Sequence, residues 1–521
     1  MQSAVRDIAR ATGLVSVVAG GAILMAACGG DSNDNHNGGA TAQEACDTLA
    51  GKTVAGAALT AATVAASGPV PTYCKVNGTI APKLNFEMRL PQSWNGKFYY
   101  GGGGGYNGSI PGLNLNALNQ GYAQVSSDSG HQGSGLDASF VLNDPYAAQL
   151  FGSLSVPTVM SSALEIVKAA YGKSPTRSYF EGCSNGGREA LMNVQRYPNL
   201  FDGVIAKAPA YNWVGLMGAF NRTAKALAAP GGAFSAAKTA TLAAAVRTTC
   251  DGLDGIVDGV VANQAACNAA FNPATLRCTG GADTGDTCLS DAQLAVVTSW
   301  TTDAAFTGSP TYRNAGWSLT GNEDDPGAWA AWETGNGTVT NALQYLFQDT
   351  TVKYYLARDP AANSLTYTPW DQNQSALFAM ASLNDATSID LRPFRDSGAK
   401  LILWHGGNDA ALSRNATTEY YTNVKTVVGD ASTDTFVRYY VAPGVNHCAG
   451  GPGADNVDLL STLDGWVANG TAPGTLTAQK LDTAGAVAFS RPLCQYPLYP
   501  RYTGPANDAA AAKLATNYTC S

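Results

Sequence analysis

The sequence predicts an α/β fold, and three observations support this. Short β-prone runs alternate with helical segments from about residue 98 to residue 210. The alternation stops near residue 211 and resumes at residue 400 with a buried strand-like run. Residues 178–196 have the pattern of a strand, a tight turn and a helix that is predicted from Arg188 to about Arg196. Strands that alternate with helices form a mostly parallel sheet with helices on both faces.

The N-terminal residues have the features of a bacterial lipoprotein signal. Residues 1–27 combine two early arginines with a small, apolar stretch that is too short for a stable membrane span. The stretch ends in Met-Ala-Ala before Cys28, which we expect to be acylated after cleavage and to tether the protein to a membrane. Residues 28–43 are rich in Gly, Asn and Asp and fit a flexible tether. The alternative is ordinary secretion, with no lipid on Cys28.

Composition limits the range of partners. The 521 residues are 45% hydrophobic, which is enough for a full core, and only 13% are charged. The net charge is −8 and no basic run is present, so we expect no nucleic-acid partner.

The cysteine count predicts export. Eleven cysteines leave ten once Cys28 is set aside, and an even number suits five disulfides in an oxidising compartment. The sequence does not fix their connectivity. Closure between nearest neighbours gives Cys46–Cys74, Cys250–Cys267, Cys278–Cys288 and Cys494–Cys520, which leaves Cys183 and Cys448 as the fifth pair.

The chain order predicts a sheet domain interrupted by an insertion. Residues 44–210 carry strands near 98–100, 122–126 and 201–206, with a helix over 156–171. Residues 211–388 lack this rhythm, which indicates an inserted segment. They contain glycine-rich turns, clustered tryptophans and Ala-rich helices that are predicted over 223–228 and 235–247. Residues 389–521 restore it, with strands near 400–405 and 436–441 and a helix near 456–469.

The turn at residues 182–186 has the sequence Gly182-x-Ser184-x-Gly186. Between a strand and a helix, this pattern is typical of a nucleophile elbow of the α/β-hydrolase fold, which presents a serine hydroxyl above the sheet edge. The flanking glycines remove Cβ atoms that would clash in so sharp a turn. The pattern also arises by chance in a chain with 58 glycines, but the flanking strand and helix favour the elbow.

Two loops after late strands supply a candidate acid and base. An α/β-hydrolase carries its triad in the order Ser, Asp, His. Asp409 follows the strand-like run 400–405, and His447 follows the run 436–441. Of the four histidines, only His447 combines this order with a loop position, so the alternative of a buried structural histidine is less favoured.

The neighbouring cysteines support the same grouping. Cys183 precedes Ser184 and Cys448 follows His447. A bond between them requires Cα atoms within about 7 Å of each other, which would hold nucleophile and base within reach. The alternative is that Cys183 is a free buried thiol.

A serine hydrolase also needs two backbone donors for the oxyanion. The first predicted donor is the N–H of Asn185, directly after the serine. The second should come from the glycine run 101–105, which follows an early strand, with Gly104 or Gly105 favoured. A phosphate-binding loop is the rival interpretation, but no Lys-Ser/Thr pair or helix start follows the run.

A cysteine-bounded loop in the insertion carries three aspartates, Asp251, Asp254 and Asp258. Hard oxygen ligands on a glycine-rich turn suit Ca²⁺, and the carboxylates would repel each other without a cation. No glutamate follows at the EF-hand spacing, and a solvated acidic loop is the alternative. We expect a structural cation here, with no part in catalysis.

Together these residues resemble the tannase and feruloyl esterase family. The resemblance lies in Cys183-Ser184, Asp409 and His447-Cys448, and it extends from about Cys46 to Cys520. It implies an α/β-hydrolase domain with a large lid at residues 211–388 and a disulfide beside the nucleophile and base. It also implies five disulfides and a lid calcium site, in which the carbonyls of Ile256 and Val260 join the three aspartates.

The resemblance implies esterase activity on aromatic acids. Members hydrolyse gallate esters, hydroxycinnamate esters or mono-hydroxyethyl terephthalate. Ala411 and Leu412 resemble positions that line the acyl pocket, and Leu412 is aliphatic where the terephthalate enzyme has an aromatic residue. We therefore expect a serine carboxylesterase for aromatic acid esters. The alternatives are a terephthalate monoester hydrolase, a general carboxylesterase or peptidase on the same scaffold, and a non-catalytic surface lipoprotein.

Overall fold

The computed structural model describes residues 40–306, 312–368, 370 and 373–521. The predicted signal peptide, Cys28 and most of the predicted tether lie outside these residues. The tether was predicted to extend to residue 43, but the first helix already begins at Ala42, where Thr41 caps it. The folded chain therefore begins slightly earlier than its composition indicates.

The strands in the described residues are β1 (Thr53–Val54), β2 (Ala57–Val64), β3 (Tyr73–Ile80), β4 (Leu84–Pro91), β5 (Lys97–Gly101), β6 (Ala123–Ser127), β7 (Arg177–Ser184), β8 (Gly203–Pro209), β9 (Ala304–Phe306), β10 (Tyr312–Asn314), β11 (Lys400–Gly406), β12 (Val437–Ala442), β13 (Leu476–Leu481), β14 (Val487–Leu493), β15 (Pro500–Tyr502) and β16 (Tyr518–Cys520).

The α-helices are α1 (Ala42–Leu49), α2 (Leu115–Asn119), α3 (Phe140–Asn143), α4 (Pro145–Gln149), α5 (Ser155–Tyr171), α6 (Asn185–Arg196), α7 (Trp213–Ala228), α8 (Ala236–Cys250), α9 (Gln264–Ala270), α10 (Asp291–Thr301), α11 (Leu343–Thr351), α12 (Gln374–Asn384), α13 (Arg392–Asp396), α14 (Arg414–Val428), α15 (Asp430–Thr433) and α16 (Leu459–Asn469).

The main sheet has ten strands in the order β1-β2-β3-β4-β6-β5-β7-β8-β11-β12. The second part of this order pairs in parallel, as the alternation of strands and helices predicts, and it consists of β6, β5, β7, β8, β11 and β12. The first four strands add an antiparallel extension, which joins the parallel part through the β4–β6 pair. The carboxyl ends of the parallel strands therefore meet at one edge.

Alternate residues of the central strands enter different cores, because successive side chains of a strand point to opposite faces. Phe98, Tyr100 and Phe180 belong to the core that also contains the buried residues of α5 and α6. Tyr99 and Tyr179 pack on the other face in the core of α16. Helices thus cover both faces of the central sheet, and the predicted fold class is confirmed by this arrangement.

The segment between β8 and β11 packs on a third core that is rich in aromatic side chains. Its buried tryptophans are Trp213, Trp300, Trp317, Trp329 and Trp370. Tyr106 and Ala411, from loops of the sheet domain, belong to the same cluster. The inserted segment therefore shares its core with the loops at the carboxyl edge of the sheet.

Two helices begin earlier than the sequence predicts. The helix after the turn at residue 184 was expected from Arg188 but begins at Asn185, although Gly186 and Gly187 have low helix propensity. The first helix of the insertion was expected from Thr223 but begins at Trp213, where buried apolar residues extend it by ten positions. In both cases tertiary packing overrides local propensity.

All five predicted disulfides are present. They join Cys46–Cys74, Cys183–Cys448, Cys250–Cys267, Cys278–Cys288 and Cys494–Cys520. Disulfides form and persist in oxidising compartments, so this number indicates an extracellular protein.

The disulfides should differ in their contributions to stability. The Cys183–Cys448 bridge spans 265 residues and the Cys278–Cys288 bridge spans 10. Loop-closure entropy then predicts losses of about 5.5 kcal/mol for the double variant C183A/C448A and about 3 kcal/mol for C278A/C288A. Equilibrium unfolding in urea measures both, and an equal loss in the two variants would contradict the entropic account.

Candidate active site

The predicted site residues converge on the carboxyl edge of the parallel strands. Ser184 is the last residue of β7. Asp409 lies three residues after the end of β11, and His447 lies five residues after the end of β12. The glycine run 101–105 leaves the end of β5. Ligands of parallel α/β sheets bind at this edge.

Ser184 has a strained backbone conformation. Its φ of 63° and ψ of −122° lie outside the regions that L-residues commonly adopt. A Cβ on Gly182 would lie 2.4 Å from the backbone of Gly186, and a Cβ on Gly186 would lie 2.7 Å from the carbonyl oxygen of Gly103. The two glycines are therefore needed for the close approach of strand, helix and glycine run, which is the geometry expected of a nucleophile elbow.

A disulfide links the turn at Ser184 with the loop at His447. The Cα atoms of Cys183 and Cys448 lie 5.9 Å apart. Since Ser184 and His447 are the chain neighbours of these cysteines, the bridge holds their two loops side by side.

Asp409 is a buried carboxylate with four nitrogen atoms within 3.1 Å of its oxygens. Oδ1 accepts the backbone N–H groups of Ala411 and Leu412, each at 2.8 Å. Oδ2 lies 2.8 Å from Nδ1 of His447 and 3.1 Å from Nε2 of His405. Burial by itself raises the pKa of Asp409, but the charge of His447 and the hydrogen bonds of both histidines outweigh it and hold this pKa well below its usual range. The carboxylate therefore stays ionised at neutral pH.

An aromatic wall faces His447. The ring of Trp332, in the inserted segment, packs edge-to-face on the imidazole of His447 with the ring centroids 5.0 Å apart. The ring of Trp332 also lies nearly parallel to the ring of Phe347, with the ring centroids 6.3 Å apart. The inserted segment thus supplies aromatic surface next to the candidate base.

A buried polar network supports the glycine run. Oε2 of Glu189 accepts the N–H of Gly103 at 2.9 Å. Oε1 of Glu189 lies 3.3 Å from the side-chain nitrogens of both Asn107 and Asn185, and Asn185 also donates to Oδ1 of Asn107 at 2.9 Å. Burial raises the pKa of Glu189, and the charge of Arg188 and the donated hydrogen bonds only partly offset this rise. The network fixes the glycine run against the start of α6.

A second polar bridge joins the loops of Asp409 and His447 to the inserted segment. Nδ2 of Asn408 donates to Oδ1 of Asn446 at 2.5 Å, so the residues that precede Asp409 and His447 contact each other. Asn446 in turn donates to Oδ1 of Asp325 at 2.5 Å, and the hydroxyl of Thr320 donates to Oδ1 of Asn408. The relative position of the two loops therefore depends on residues 320–325.

The predicted oxyanion donors lie beside this network. The N–H of Gly102 donates to the carbonyl of Glu181, and that of Gly103 donates to Glu189. Gly104 is exposed and Gly105 has a positive φ of 55°. Asn185 is the first residue of α6, and the N–H groups of a first helical turn lack intrahelical partners.

The predicted pocket residues have a contact that the sequence did not reveal. Ala411 and Leu412 are buried in the core of the inserted segment, and their backbone N–H groups hold Asp409. Their side chains thus belong to the aromatic cluster that reaches the site.

The acidic loop of the insertion folds around two buried aspartates. Asp251 accepts the N–H groups of Asp258 and Gly259, and Asp254 accepts that of Ala262. Burial, with repulsion from Asp258 and Asp251, raises the pKa of Asp254 to about 7. Asp258 forms an ion pair with Arg491 at 2.8 Å. Within the described ranges, no three acidic, His or Cys side chains converge on one point as a complete metal site.

The sequence patterns did not identify several residues that contact the site. His405 was interpreted as a strand residue, and Glu189, Asn107 and Trp332 carried no motif. Only His405 had a local signal, because it lies four residues before Asp409 in a buried strand. His131 is buried against Phe140, and burial lowers the pKa of His131 to about 4, in keeping with a structural histidine.

Comparisons with known proteins agree with the resemblance seen in the sequence. A family model described as "Tannase and feruloyl esterase" matches residues 68–521. The mono(2-hydroxyethyl) terephthalate hydrolase of Piscinibacter sakaiensis is 34% identical over 87% of this chain and 86% of that protein. A probable feruloyl esterase B of Aspergillus niger is 30% identical over 81% of each chain.

A solved structure shares the fold. Feruloyl esterase B from Aspergillus oryzae superposes with a TM-score of 0.80 at 23% identity, over 92% of this chain and all of that one. The chain is therefore a carboxylic ester hydrolase with an α/β-hydrolase fold, and it belongs to the tannase and feruloyl esterase family.

Proposed function

We propose that this protein is a serine esterase for aromatic acid esters, with Ser184 as nucleophile, His447 as base and Asp409 as acid. One observation carries the proposal. The imidazole of His447 is hydrogen-bonded to the buried carboxylate of Asp409, and the Cys183–Cys448 bridge holds its loop beside the turn of Ser184. These are the roles that a serine nucleophile requires.

The reaction follows from these contacts. Nδ1 of His447 faces Asp409, which leaves Nε2 to take the hydroxyl proton of Ser184 as its Oγ attacks the ester carbonyl. The tetrahedral intermediate collapses to an acyl-serine, and His447 returns the proton to the alcohol that leaves. Water then attacks the acyl-serine, with His447 again as base, and releases the acid.

The N–H of Asn185 and one N–H of the glycine run would bind the oxyanion. Gly102 and Gly103 already donate to other acceptors, which supports Gly104 or Gly105 as the second donor. In the part of the chain that the structure describes, neither of these two N–H groups has a protein acceptor. A donor without a partner, next to a fixed loop, is preorganised for developing negative charge.

The aromatic surface around His447 supports an aromatic acyl group. Trp332 and Phe347 offer flat rings, and Leu412 lies in the same cluster. Relatives named for feruloyl esters and for mono(2-hydroxyethyl) terephthalate share an aromatic acid. The five arginines of the insertion each donate to protein oxygens, which favours an acyl group without a second carboxylate. They are Arg222, Arg247, Arg277, Arg313 and Arg358.

We also propose a structural calcium ion in the acidic loop. The chemistry of the site fits: Asp251 and Asp254 are buried, and the crowding of negative charge there would be relieved by a cation. Asp251, Asp254 and Asp258 would hold the ion with the carbonyls of Ile256 and Val260, and the ion would stabilise the insertion.

Acylation of Cys28 remains part of the proposal, as a membrane tether for an extracellular enzyme.

Replacing Ser184 tests the proposed nucleophile. Ser184→Ala should abolish hydrolysis of methyl ferulate and methyl gallate and leave the melting temperature unchanged, because only the attacking oxygen is lost. Labelling by a fluorophosphonate should disappear with it. A panel that adds mono-hydroxyethyl terephthalate and p-nitrophenyl alkanoates identifies the acyl preference, and turnover of Ser184→Ala near that of wild type would refute the assignment.

Glu189→Gln tests the support of the glycine run. The amide nitrogen of glutamine cannot accept from Asn107 and Asn185, so the run should lose its fixed position. We expect kcat to fall by about tenfold to hundredfold with KM little changed, because the oxyanion forms only in the transition state. Glu165→Gln, on the exposed surface of α5, is the matched control. Equal kinetics of the two variants would contradict this role.

Calcium removal tests the acidic loop. Chelation by EDTA should lower the melting temperature by several degrees, and added Ca²⁺ should restore it, because an ion that binds only the folded state stabilises it. Asp254→Asn should abolish this response, whereas Asp286→Asn, an exposed aspartate of the same insertion, should retain it. An unchanged melting temperature of the wild type in EDTA would exclude a structural ion.

A further inference from the structure

His405 contacts the same carboxylate oxygen as His447. Its side chain is fully buried in β11, and its Nε2 lies 3.1 Å from Oδ2 of Asp409. The same nitrogen lies 3.1 Å from the carbonyl oxygen of Leu412, and Nδ1 lies 2.9 Å from the hydroxyl oxygen of Thr417. Both ring nitrogens are therefore engaged.

The partners of the two ring nitrogens determine the tautomer of His405. The carboxylate of Asp409 and the carbonyl of Leu412 only accept, so Nε2 of His405 must carry a proton. In the neutral ring Nδ1 then accepts from the hydroxyl of Thr417. This N–H has hydrogen-bond geometry to the Leu412 carbonyl, and Oδ2 of Asp409 is a second, less well aligned acceptor at 3.1 Å.

We propose that His405 is a positioning residue for the catalytic acid. Its N–H, together with the N–H groups of Ala411 and Leu412, fixes the rotation of the Asp409 carboxylate so that Oδ2 faces His447. This inference rests on the proposed roles of Asp409 and His447. A buried ionised carboxylate needs such donors, and each one that is absent leaves it free to turn.

A core histidine that only fills space would not need this arrangement. A fully buried imidazole in a strand is costly unless both nitrogens are satisfied, and an apolar side chain would pack there without that cost. The other residues of β11 that enter the cores are all apolar, namely Leu401, Ile402, Leu403 and Trp404. His405, by contrast, is polar, and it occupies the position in β11 from which a side chain reaches Asp409.

The kinetic consequence is specific. His405 has no path to the ester in this arrangement, because the carboxylate of Asp409 and the Leu412 carbonyl occupy its Nε2. Its loss should therefore lower kcat and leave KM unchanged. A displacement of the acid by a fraction of an ångström predicts a fall of roughly tenfold to hundredfold.

Three variants test the proposal on the full-length mature protein. His405→Leu removes the donor, and we expect the fall in kcat. In His405→Gln the amide N–H takes the place of Nε2–H, so kcat should recover to within about threefold of the wild-type value. Thr417→Val removes only the partner of Nδ1, and it should change kcat by less than threefold. Wild-type kcat in His405→Leu, or equal losses in the leucine and glutamine variants, would overturn the proposal.

A spectroscopic measurement separates positioning from folding. The proton between Nδ1 of His447 and Asp409 should give a far-downfield proton resonance in the wild type. This resonance should shift or broaden in His405→Leu and reappear in His405→Gln, and its persistence unchanged in His405→Leu would overturn the proposal. The reaction of wild-type Ser184 with a fluorophosphonate separates failure of the proposed function from failure of this inference. If the wild type does not react, the proposed function is refuted. If the wild type reacts normally and His405→Leu keeps the wild-type kcat, only the inference about His405 is refuted.

Discussion

The site depends on one covalent constraint, the sulfur bridge between Cys183 and Cys448. It joins two loops that are 265 residues apart in the chain, with the whole inserted segment between them. The parallel sheet brings the two strand ends to one edge, but loops at such an edge are free to splay. The bridge removes that freedom next to the serine and the imidazole. The other contacts of the site orient side chains on two loops whose separation this bond already limits.

Hydrogen bonds in the buried region set the remaining degrees of freedom. The carboxylate of Asp409 is surrounded by four nitrogen atoms, and Glu189 gathers the donors of the glycine run and of α6. Both carboxylates are removed from water, so their partners must be in place before substrate arrives. The strain at Ser184 belongs to the same arrangement, because the glycines around it allow strand, helix and loop to approach closely. Buried polar groups therefore add to the rigidity that apolar packing against the inserted segment gives this edge.

Local signals predicted much of this arrangement. The strand–turn–helix pattern around Ser184, the loop positions of Asp409 and His447, and the pairing of ten cysteines were all visible in the sequence, and the pairing is confirmed. The contacts of Glu189 and His405 were not, because they depend on which side chains of separate elements face each other. The early start of α6 was missed for a related reason, since the glycines that lower its propensity are the residues that let it pack.

The bridge from Asn446 to Asp325 has a consequence for exchanging inserted segments between relatives. Thr320 and Asp325 are part of the insertion, yet they contact Asn408 and Asn446, the residues that immediately precede Asp409 and His447. A chimaera in which the whole inserted segment is replaced by that of a relative would lose these contacts, and the loops of Asp409 and His447 would be held less firmly. Grafts intended to change acyl preference should retain residues 320–325 and replace the surface on either side of them.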